Sequence, residues 1–566
     1  MGCGASTAKY APARGKDAAA ERSPLVKCFT RGSLIVENTT GWVLDFYDSQ
    51  ERVGKGGFGS VRRVTNKDTG RDRALKTLRK KRTKRKSVEE EIAVMKLLDH
   101  PHVIRIYEVF EDHLNYYLLM DFCHGGELLD FVTRQLDAGN NAETQAAIAM
   151  EQIFRGVVYM HNAHICHRDL KLENFLLLNK GDDLAQCVVK IADFGLAHRF
   201  QDGEIMTDAV GTPAYMAPQV FLGRYDKACD LWSCGVTIYL MLCGRRPFVG
   251  KSTRQTKAAV MEGAVVFRTE EWEGISAEAT DMVNRLLAYD PTMRLSAEQA
   301  LTHPWVHSGA AAVPQALLAG GQLKRMREFC QLNSLKQAAL YIIASRLHDG
   351  EIQQLKDIFM SMDENGDGTV ALSELKAGLV HLGKQGAHLE ELMMGLDING
   401  SECIDYTEFL AACLDEKHFR EEGICWTAFR YFDKDGDGVI SKEEIAQVLS
   451  DGGLQTVDMD AVNKVMNDVD ANNDGFIDFD EFMRMMRGDS SRTRSIFSDS
   501  TRNSSKSSSG KENHSHAMVH KISANHIYQE PEVSHRVDRA AKHTSICQAE
   551  MHESWRHIDP KLASVR

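Results

Sequence analysis

Between residues 363 and 481 a twelve-residue acidic pattern recurs four times, and nothing else in this 566-residue chain restricts its folding as strongly. The first copy places Asp363, Asn365, Asp367 and Gly368 ahead of Glu374; the third has Asp433, Asp435, Asp437, Gly438 and Glu444; the fourth has Asp470, Asn472, Asp474, Gly475 and Glu481. The second keeps Asp397, Asn399, Ser401, Asp405 and Glu408. Copies start at 363, 397, 433 and 470, so consecutive starts lie 34, 36 and 37 residues apart. Side-chain oxygens at positions 1, 3, 5 and 12, with a backbone carbonyl at position 7 (Thr369, Cys403, Val439, Phe476), are the donor set of a hard cation such as Ca²⁺. Such loops join two helices, and the helices bury their apolar sides by pairing. Residues 351–488 are therefore predicted to be all-α, in two pairs, with up to four Ca²⁺ sites. One acidic turn could arise by chance; four in register do not. Position 6 needs a sharp turn that Gly makes freely, and the second copy has Glu402 there, so that site is expected to be the weakest. Met360, Met362, Met393, Met394, Met466, Met483, Met485 and Met486 flank the loops, as core packing requires and as a surface that grips a partner helix would.

The rest of the chain is too long for one core and implies further units. A net charge of -12 argues against general nucleic-acid affinity, so none is expected among the partners. Thirteen Cys lie without a Cys-x-x-Cys pattern, no cleavable leader opens the chain and no apolar run approaches a membrane span, which together fit reduced thiols in a cytosolic setting. The chain begins Met1-Gly2-Cys3-Gly4-Ala5-Ser6, which satisfies the myristoylation pattern at Gly2 and leaves Cys3 for palmitoylation. One acyl chain binds only marginally, so the adjacent thiol is what stable anchoring asks for, and the cytoplasmic face of membranes is the expected location.

A second constellation occupies 47–306. His167-Arg168-Asp169-Leu170-Lys171-Leu172-Glu173-Asn174 offers a carboxylate that can accept a hydroxyl proton, with Lys171 and Asn174 beside it. Val53-Gly54-Lys55-Gly56-Gly57-Phe58-Gly59-Ser60-Val61 is a glycine-rich stretch that lets backbone cover phosphates without side chains intruding. In dinucleotide-binding folds a helix follows such a stretch at once; here Val61, Val64 and Ala74-Leu75-Lys76 read as further strands. Lys76, charged in a partly apolar cleft, needs an acidic partner. Twenty-four residues beyond Asp169 comes Asp193-Phe194-Gly195, with Asp193 able to chelate Mg²⁺ and Asn174 a second ion. This ordered set resembles a protein kinase. The resemblance implies Glu91, in a helix over Ser87–Leu98, as the partner of Lys76, with Glu90 the fallback. It also implies Met120 at the back of the adenine pocket, Glu127 holding an Arg of a basic protein substrate, and Asp230 bracing the catalytic loop. Lys171 and Gly211-Thr212-Pro213-Ala214-Tyr215 resemble Ser/Thr rather than Tyr kinases. One departure is Gln219 after Met216-Ala217-Pro218, where most kinases have a Glu that pairs with an Arg, here Arg294. Gln219 forms no ion pair, which touches large-lobe stability rather than phosphate.

Three stretches remain. Arg79 to Lys86 holds seven basic residues in eight. A solvated loop is the simplest reading, with a nucleic-acid or nuclear-localisation patch, and attraction to anionic lipid or to the acidic C-terminal region, as alternatives. Gln322 to Lys336 reads as one basic amphipathic helix with Leu323, Met326, Phe329 or Cys330, and Leu335 on one side, the kind that Ca²⁺ sensors grip and that can cover a kinase cleft. Residues 489–566 are Ser- and His-rich and predicted to be disordered, with Arg492-Thr493-Arg494-Ser495 a candidate autophosphorylation site and His514, His516 and His520 solvated.

From Tyr47 to about Arg487 this order of parts resembles the calcium-dependent protein kinases of plants and apicomplexan parasites. The resemblance implies an α+β two-lobed kinase fold followed by an all-α domain of two EF-hand pairs, with disordered tails. The expected organisation is an acylated segment over 1–46, the kinase over 47–306, an autoinhibitory junction over 307–350, the sensor over 351–488 and the tail beyond. It implies a monomeric enzyme that uses ATP with Mg²⁺ and is held inactive by its junction until Ca²⁺ remodels the sensor. A membrane-anchored scaffold with a dead kinase fold is the alternative from another class; Lys76, Glu91, Asp169, Asn174 and Asp193 argue against it. A kinase that ignores its EF-hands is a third, disfavoured by the basic junction.

Overall fold

The structure, a computed structural model, describes residues 36–38, 42–55, 59–137, 142–310, 318–347, 350–380, 388–450 and 459–488. Gly2, Cys3, Gly56, Gly57, Phe58 and the whole Ser- and His-rich tail lie outside the described residues.

The first lobe is a six-stranded sheet made of β1 (Val36–Asn38), β2 (Tyr47–Lys55), β3 (Gly59–Asn66), β4 (Asp72–Arg79), β5 (Ile106–Glu111) and β6 (Asn115–Asp121), in the order β1-β5-β6-β4-β3-β2. All neighbours are antiparallel except β1 with β5. The short helix α1 (Val43–Phe46) contributes to one small core, where Val43, Tyr47, Val64, Leu75, Phe110 and Leu119 meet. Helix α2 (Arg85–Leu97) turns Val88, Glu91, Val94 and Met95 inward. It begins two residues earlier than the sequence suggests, inside the basic run.

The larger lobe holds α3 (Leu128–Asp137), α4 (Ala142–Asn162), α5 (Pro218–Phe221), α6 (Ala228–Cys243), α7 (Thr253–Glu262), α8 (Thr269–Trp272), α9 (Ala277–Leu286), α10 (Ala297–Leu301) and α11 (Pro304–Ala310). Short strands β7 (Gly126–Glu127), β8 (Ile165–Cys166), β9 (Phe175–Leu177), β10 (Val189–Ile191) and β11 (His198–Arg199) frame the cleft. Helix α6 is apolar on every side and sits at the centre of the lobe, Trp232 and Tyr239 fully buried.

A second core starts at α12 (Gly320–Phe329) and α13 (Ser334–Arg346) and continues through α14 (Gln353–Met362), α15 (Leu372–Leu379), α16 (Leu389–Leu396), α17 (Tyr406–Cys413), α18 (Glu422–Phe432), α19 (Lys442–Ser450), α20 (Met459–Val469) and α21 (Phe479–Arg487). The single helix expected over 322–336 is two. Asn333 accepts a hydrogen bond from the Lys336 amide and starts α13 afresh, which breaks the stretch between Phe329 and Ser334. Leu323, Met326, Phe329 and Leu335 are buried as expected, but among sensor helices. Most of the loop-flanking Met pack in this core; Met394 is exposed. The four loops pair two by two: β12 (Thr369–Val370) lies antiparallel to β13 (Ile404–Asp405), and β14 (Val439–Ile440) to β15 (Ile477–Asp478). No helix among the described residues is long and apolar enough to cross a membrane.

Candidate active site and cation loops

The cleft is assembled from a strand, a helix and three loops. Lys76 points from β4 so that its Nζ lies 2.7 Å from Glu91 Oε1 on α2 and 2.8 Å from Asp193 Oδ1. Burial would lower the ammonium's affinity for its proton, but the two carboxylates outweigh it and raise the pKa. Lys76 in turn pulls the Asp193 carboxyl down to about 2. Glu91 is buried, whereas Glu90 faces solvent 3.6 Å from Lys86, so Glu91 is the partner in this structure. Of the glycine-rich stretch, Val53, Gly54 and Lys55 end β2, while Gly59, Ser60 and Val61 begin β3. Gly59 needs to be Gly for a spatial reason: a Cβ there would stand 1.8 Å from Thr77 O. Met120 lies on β6 opposite Ala74 of β4 and is partly buried against the core.

The catalytic loop hangs between β8 and β9. Asp169 and Lys171 form a 2.6 Å ion pair, and both reach the same residue of the segment beyond the Asp193 turn: Asp169 Oδ1 accepts from Thr212 N (2.8 Å) and Oγ1 (2.7 Å), and Lys171 Nζ donates to Thr212 Oγ1 (2.8 Å). Asn174 Nδ2 donates to the Asp169 carbonyl at 2.9 Å. Thr212 was legible only as part of a Ser/Thr-type pattern, not as the clasp between Asp169 and Lys171. Beneath the loop Asp230, fully buried on α6, accepts from the amides of His167 and Arg168 at 2.9 Å each and lies 3.0 Å from His161 Nε2. Burial alone would push this carboxyl up, but the hydrogen bond from His161 and the neighbouring donors hold it below the usual range. His161 was not foreseen, since its position in α4 carries no local pattern. Arg168 and Asp193 sit at φ 66° and 67°, backbone strain that the Asp230 and Lys76 contacts retain. Glu127 lies on β7, its pKa raised by burial and by Asp130 and Glu173 nearby.

Gln219 does what a neutral side chain can. Its Oε1 accepts from Arg294 (3.1 Å) and its Nε2 donates to Tyr289 O (2.5 Å), while Arg294 also reaches the carbonyls of Ala228 and Ala288 and stacks on Trp232. Burial without an ion pair lowers the Arg294 pKa to about 10.

Each cation loop is closed by two carboxylates. The position-1 Asp takes the amide of position 6 at 3.0 Å in loops one, two and four and at 3.1 Å in loop three. That bond requires a left-handed position 6, and Gly368, Gly438, Gly475 and Glu402 have φ of 80°, 93°, 90° and 66°. The second loop thus copies the turn with a residue that pays for it in strain, on the order of 1 kcal/mol. The position-12 Glu closes the other side: Glu374, Glu408, Glu444 and Glu481 each accept two amides at the loop start and a third at the head of the exit helix. Oxygens of Asp433, Asp435 and Asp437 lie within 4.8 Å of one another. Three like charges so close suit a divalent cation, and Asn365, Asn399, Ser401 and Asn472 occupy the equivalent places in the other loops.

The protein kinase domain family matches residues 47–306, the EF-hand domain pair matches 421–487 and a single EF hand matches 355–380. Calcium-dependent protein kinase 3 of Plasmodium berghei is 41% identical over 476 residues, spanning 82% of this chain and 84% of that protein. The chain belongs to the calcium-dependent protein kinase family. Calcium-dependent protein kinase 5 of Plasmodium falciparum is 38% identical over 450 residues (78% of each chain), and calcium-dependent protein kinase 33 of Arabidopsis thaliana 36% over 459 residues (80% and 86%). The kinase is therefore a Ca²⁺-activated Ser/Thr protein kinase that uses ATP, and its Lys76, Glu91, Asp169, Asn174 and Asp193 are drawn into one cleft.

Proposed function

We propose that Asp169 orients the substrate hydroxyl and takes up its proton while Lys171 offsets charge developing on the transferred group, with Lys76, fixed by Glu91, holding the nucleotide phosphates. Asn174 and Asp193 are the oxygen donors for Mg²⁺, which supplies neutralisation of the phosphate charge when bound. Substrates carry Ser or Thr near basic residues, because Glu127 offers them a carboxylate. Up to four Ca²⁺ bind, the second loop most weakly because of Glu402. We read the described state as the released one, a reading supported by two observations: α12 and α13 pack within the sensor core, and the Lys76–Glu91–Asp193 contacts stand formed. That coincidence is the observation that carries the switch. Without Ca²⁺ the junction covers the kinase cleft. A shift from 1:99 to 99:1 in such a population needs about 5.5 kcal/mol, within reach of several ions acting together. Acylation at Gly2 and Cys3 anchors the monomer to the cytoplasmic face of membranes.

The test is phosphate transfer from ATP and Mg²⁺ to an Arg-containing Ser peptide, with Ca²⁺ and with chelator, beside Asp169→Asn. Activity with Ca²⁺ alone, lost in the variant, is expected. Equal activity in both conditions would remove the switch, and none in either would favour the scaffold.

A further inference from the structure

The basic run at Arg79–Lys86 takes no part in phosphotransfer, yet its placement is specific. β4 ends at Arg79 and α2 begins at Arg85, so the run is a turn at one end of the small-lobe sheet. Three of its cations are engaged: Lys80 Nζ lies 2.6 Å from Glu111 Oε1, Arg85 Nε 2.7 Å from Glu89 Oε1, and Lys86 Nζ 3.6 Å from Glu90 Oε1. The other four, Arg79, Lys81, Arg82 and Lys84, are exposed and have no carboxylate partner among the described residues. Four like charges held together at a protein surface repel one another, and an external anionic surface relieves that repulsion.

Beside them stands one exposed apolar side chain, in a turn that also carries Asp112. The turn between β5 and β6 presents His113 and Leu114, with Leu114 50% exposed, and the Lys80 amide donates to Leu114 O at 2.9 Å, which joins the two turns. Cations flanking an exposed Leu match the boundary of an anionic leaflet, where charges meet headgroups and the apolar group enters the acyl edge. The N-terminal segment reaches the same edge, since β1 pairs with β5 and Asn38 stands opposite Phe110, next to the Glu111 that holds Lys80. We propose that Arg79, Lys81, Arg82 and Lys84, with Leu114, form an electrostatic contact that seats the small lobe on an anionic lipid surface. This rests on the membrane reading above but does not require the acyl chains.

The full chain, N-myristoylated by coexpression and separately as Gly2→Ala, is sedimented with phosphatidylcholine vesicles with and without phosphatidylserine. Each cation at an anionic surface raises partition about fivefold. Replacing Arg79, Lys81, Arg82 and Lys84 together by Gln is expected to lower binding to phosphatidylserine vesicles about 25-fold, half the logarithmic gain of four fully engaged cations. The loss should appear in both acylation states, leave binding to neutral vesicles unchanged and leave soluble-peptide phosphorylation intact. Leu114→Ser should give a smaller loss on the same vesicles. A phosphatidylserine increment that survives the quadruple variant, or that is absent from the unaltered protein in both states, overturns the proposal. So does a variant that loses duplex-DNA binding while keeping its vesicle binding. Failure of the acyl anchor shows up separately, as identical neutral-vesicle binding by the myristoylated and Gly2→Ala proteins.

Discussion

The two EF-hand pairs share a sequence pattern and differ in what their loops face. In the first pair the loops themselves lie against the kinase. Arg155 donates to Asp363 O at 3.1 Å, the Thr407 amide donates to Asp99 Oδ2 at 2.9 Å, and a Cβ on Gly368 would stand 2.5 Å from Tyr159 Cδ2 and 2.8 Å from His100 Cδ2. In the second pair Gly436, Gly438 and Gly475 meet nothing within 4 Å. That pair touches the small lobe through the helix α18, where Arg430 lies 3.5 Å from Asp68 with both side chains about two-fifths exposed. Loop chemistry decides which ion binds; placement decides what else a change in the loop disturbs. The first pair is a docking surface as well as a sensor.

The sharpest way to break this comparison is to remove one acidic kinase residue from each contact. Asp99 is buried, 3.8 Å from the equally buried Arg105, whose guanidinium stacks on Tyr406 of the second loop's exit helix. Asp99→Ala removes a buried carboxylate beside that guanidinium together with the acceptor of the Thr407 amide, and should cost roughly 3 kcal/mol in thermal or denaturant unfolding, with loss of Ca²⁺-stimulated activity. Asp68→Ala at the second pair should cost below about 1 kcal/mol, because the Arg430 pair is solvated. Equal losses would mean that the two pairs dock alike.

A matched pair of glycine substitutions comes next in size. Gly368→Ala adds a left-handed strain to a clash against two kinase rings and should cost roughly 3 kcal/mol. Gly438→Ala meets open space and should cost the strain alone, roughly 1 to 2 kcal/mol, read as a change in melting temperature. Comparable shifts would remove the claim that loop one is pressed onto the kinase.

Position 12 separates docking from affinity. Glu444→Gln should move the Ca²⁺ midpoint of activation and leave the plateau near the original, since the loop-three glycines Gly436 and Gly438 meet open space rather than the kinase. Glu374→Gln should lower the plateau as well, by several-fold in peptide phosphorylation, because its loop backbone is part of the interface.

The smallest expected effect is a gain. Glu402→Gly relieves left-handed strain of on the order of 1 kcal/mol, so Ca²⁺ binding to the second loop, measured calorimetrically, should tighten about fivefold. No tightening would show that the Asp397 bond to the position-6 amide, rather than strain, sets that site's affinity.

Much of the site was readable in the chain because its chemistry is carried by short motifs. Lys76, Asp169, Asn174 and Asp193 sit in local patterns, and Glu91 followed from the resemblance to protein kinases. The loops were readable for the same reason, including the strain at Glu402. Thr212 and His161 were not readable as partners of Asp169 and Asp230, since each reaches across the lobe to a residue with which it shares no pattern. Helix α13 was missed too. Its Leu340, Tyr341, Ile342 and Ile343 are apolar all round, without the one-sided stripe that marks an amphipathic helix, and the lone basic face upstream drew attention instead.

By itself the sequence determined the ligand types, the order of the phosphotransfer groups and the four loops with one faulty turn, because donor identity and backbone conformation are properties of a few neighbouring residues. Only the tertiary structure decided that the junction helices belong to the sensor core and that the first cation loops rest on the kinase. Contacts such as that of Thr407 with Asp99 join residues 308 apart in the chain, and their energy comes from burial and pairing that no local stretch encodes.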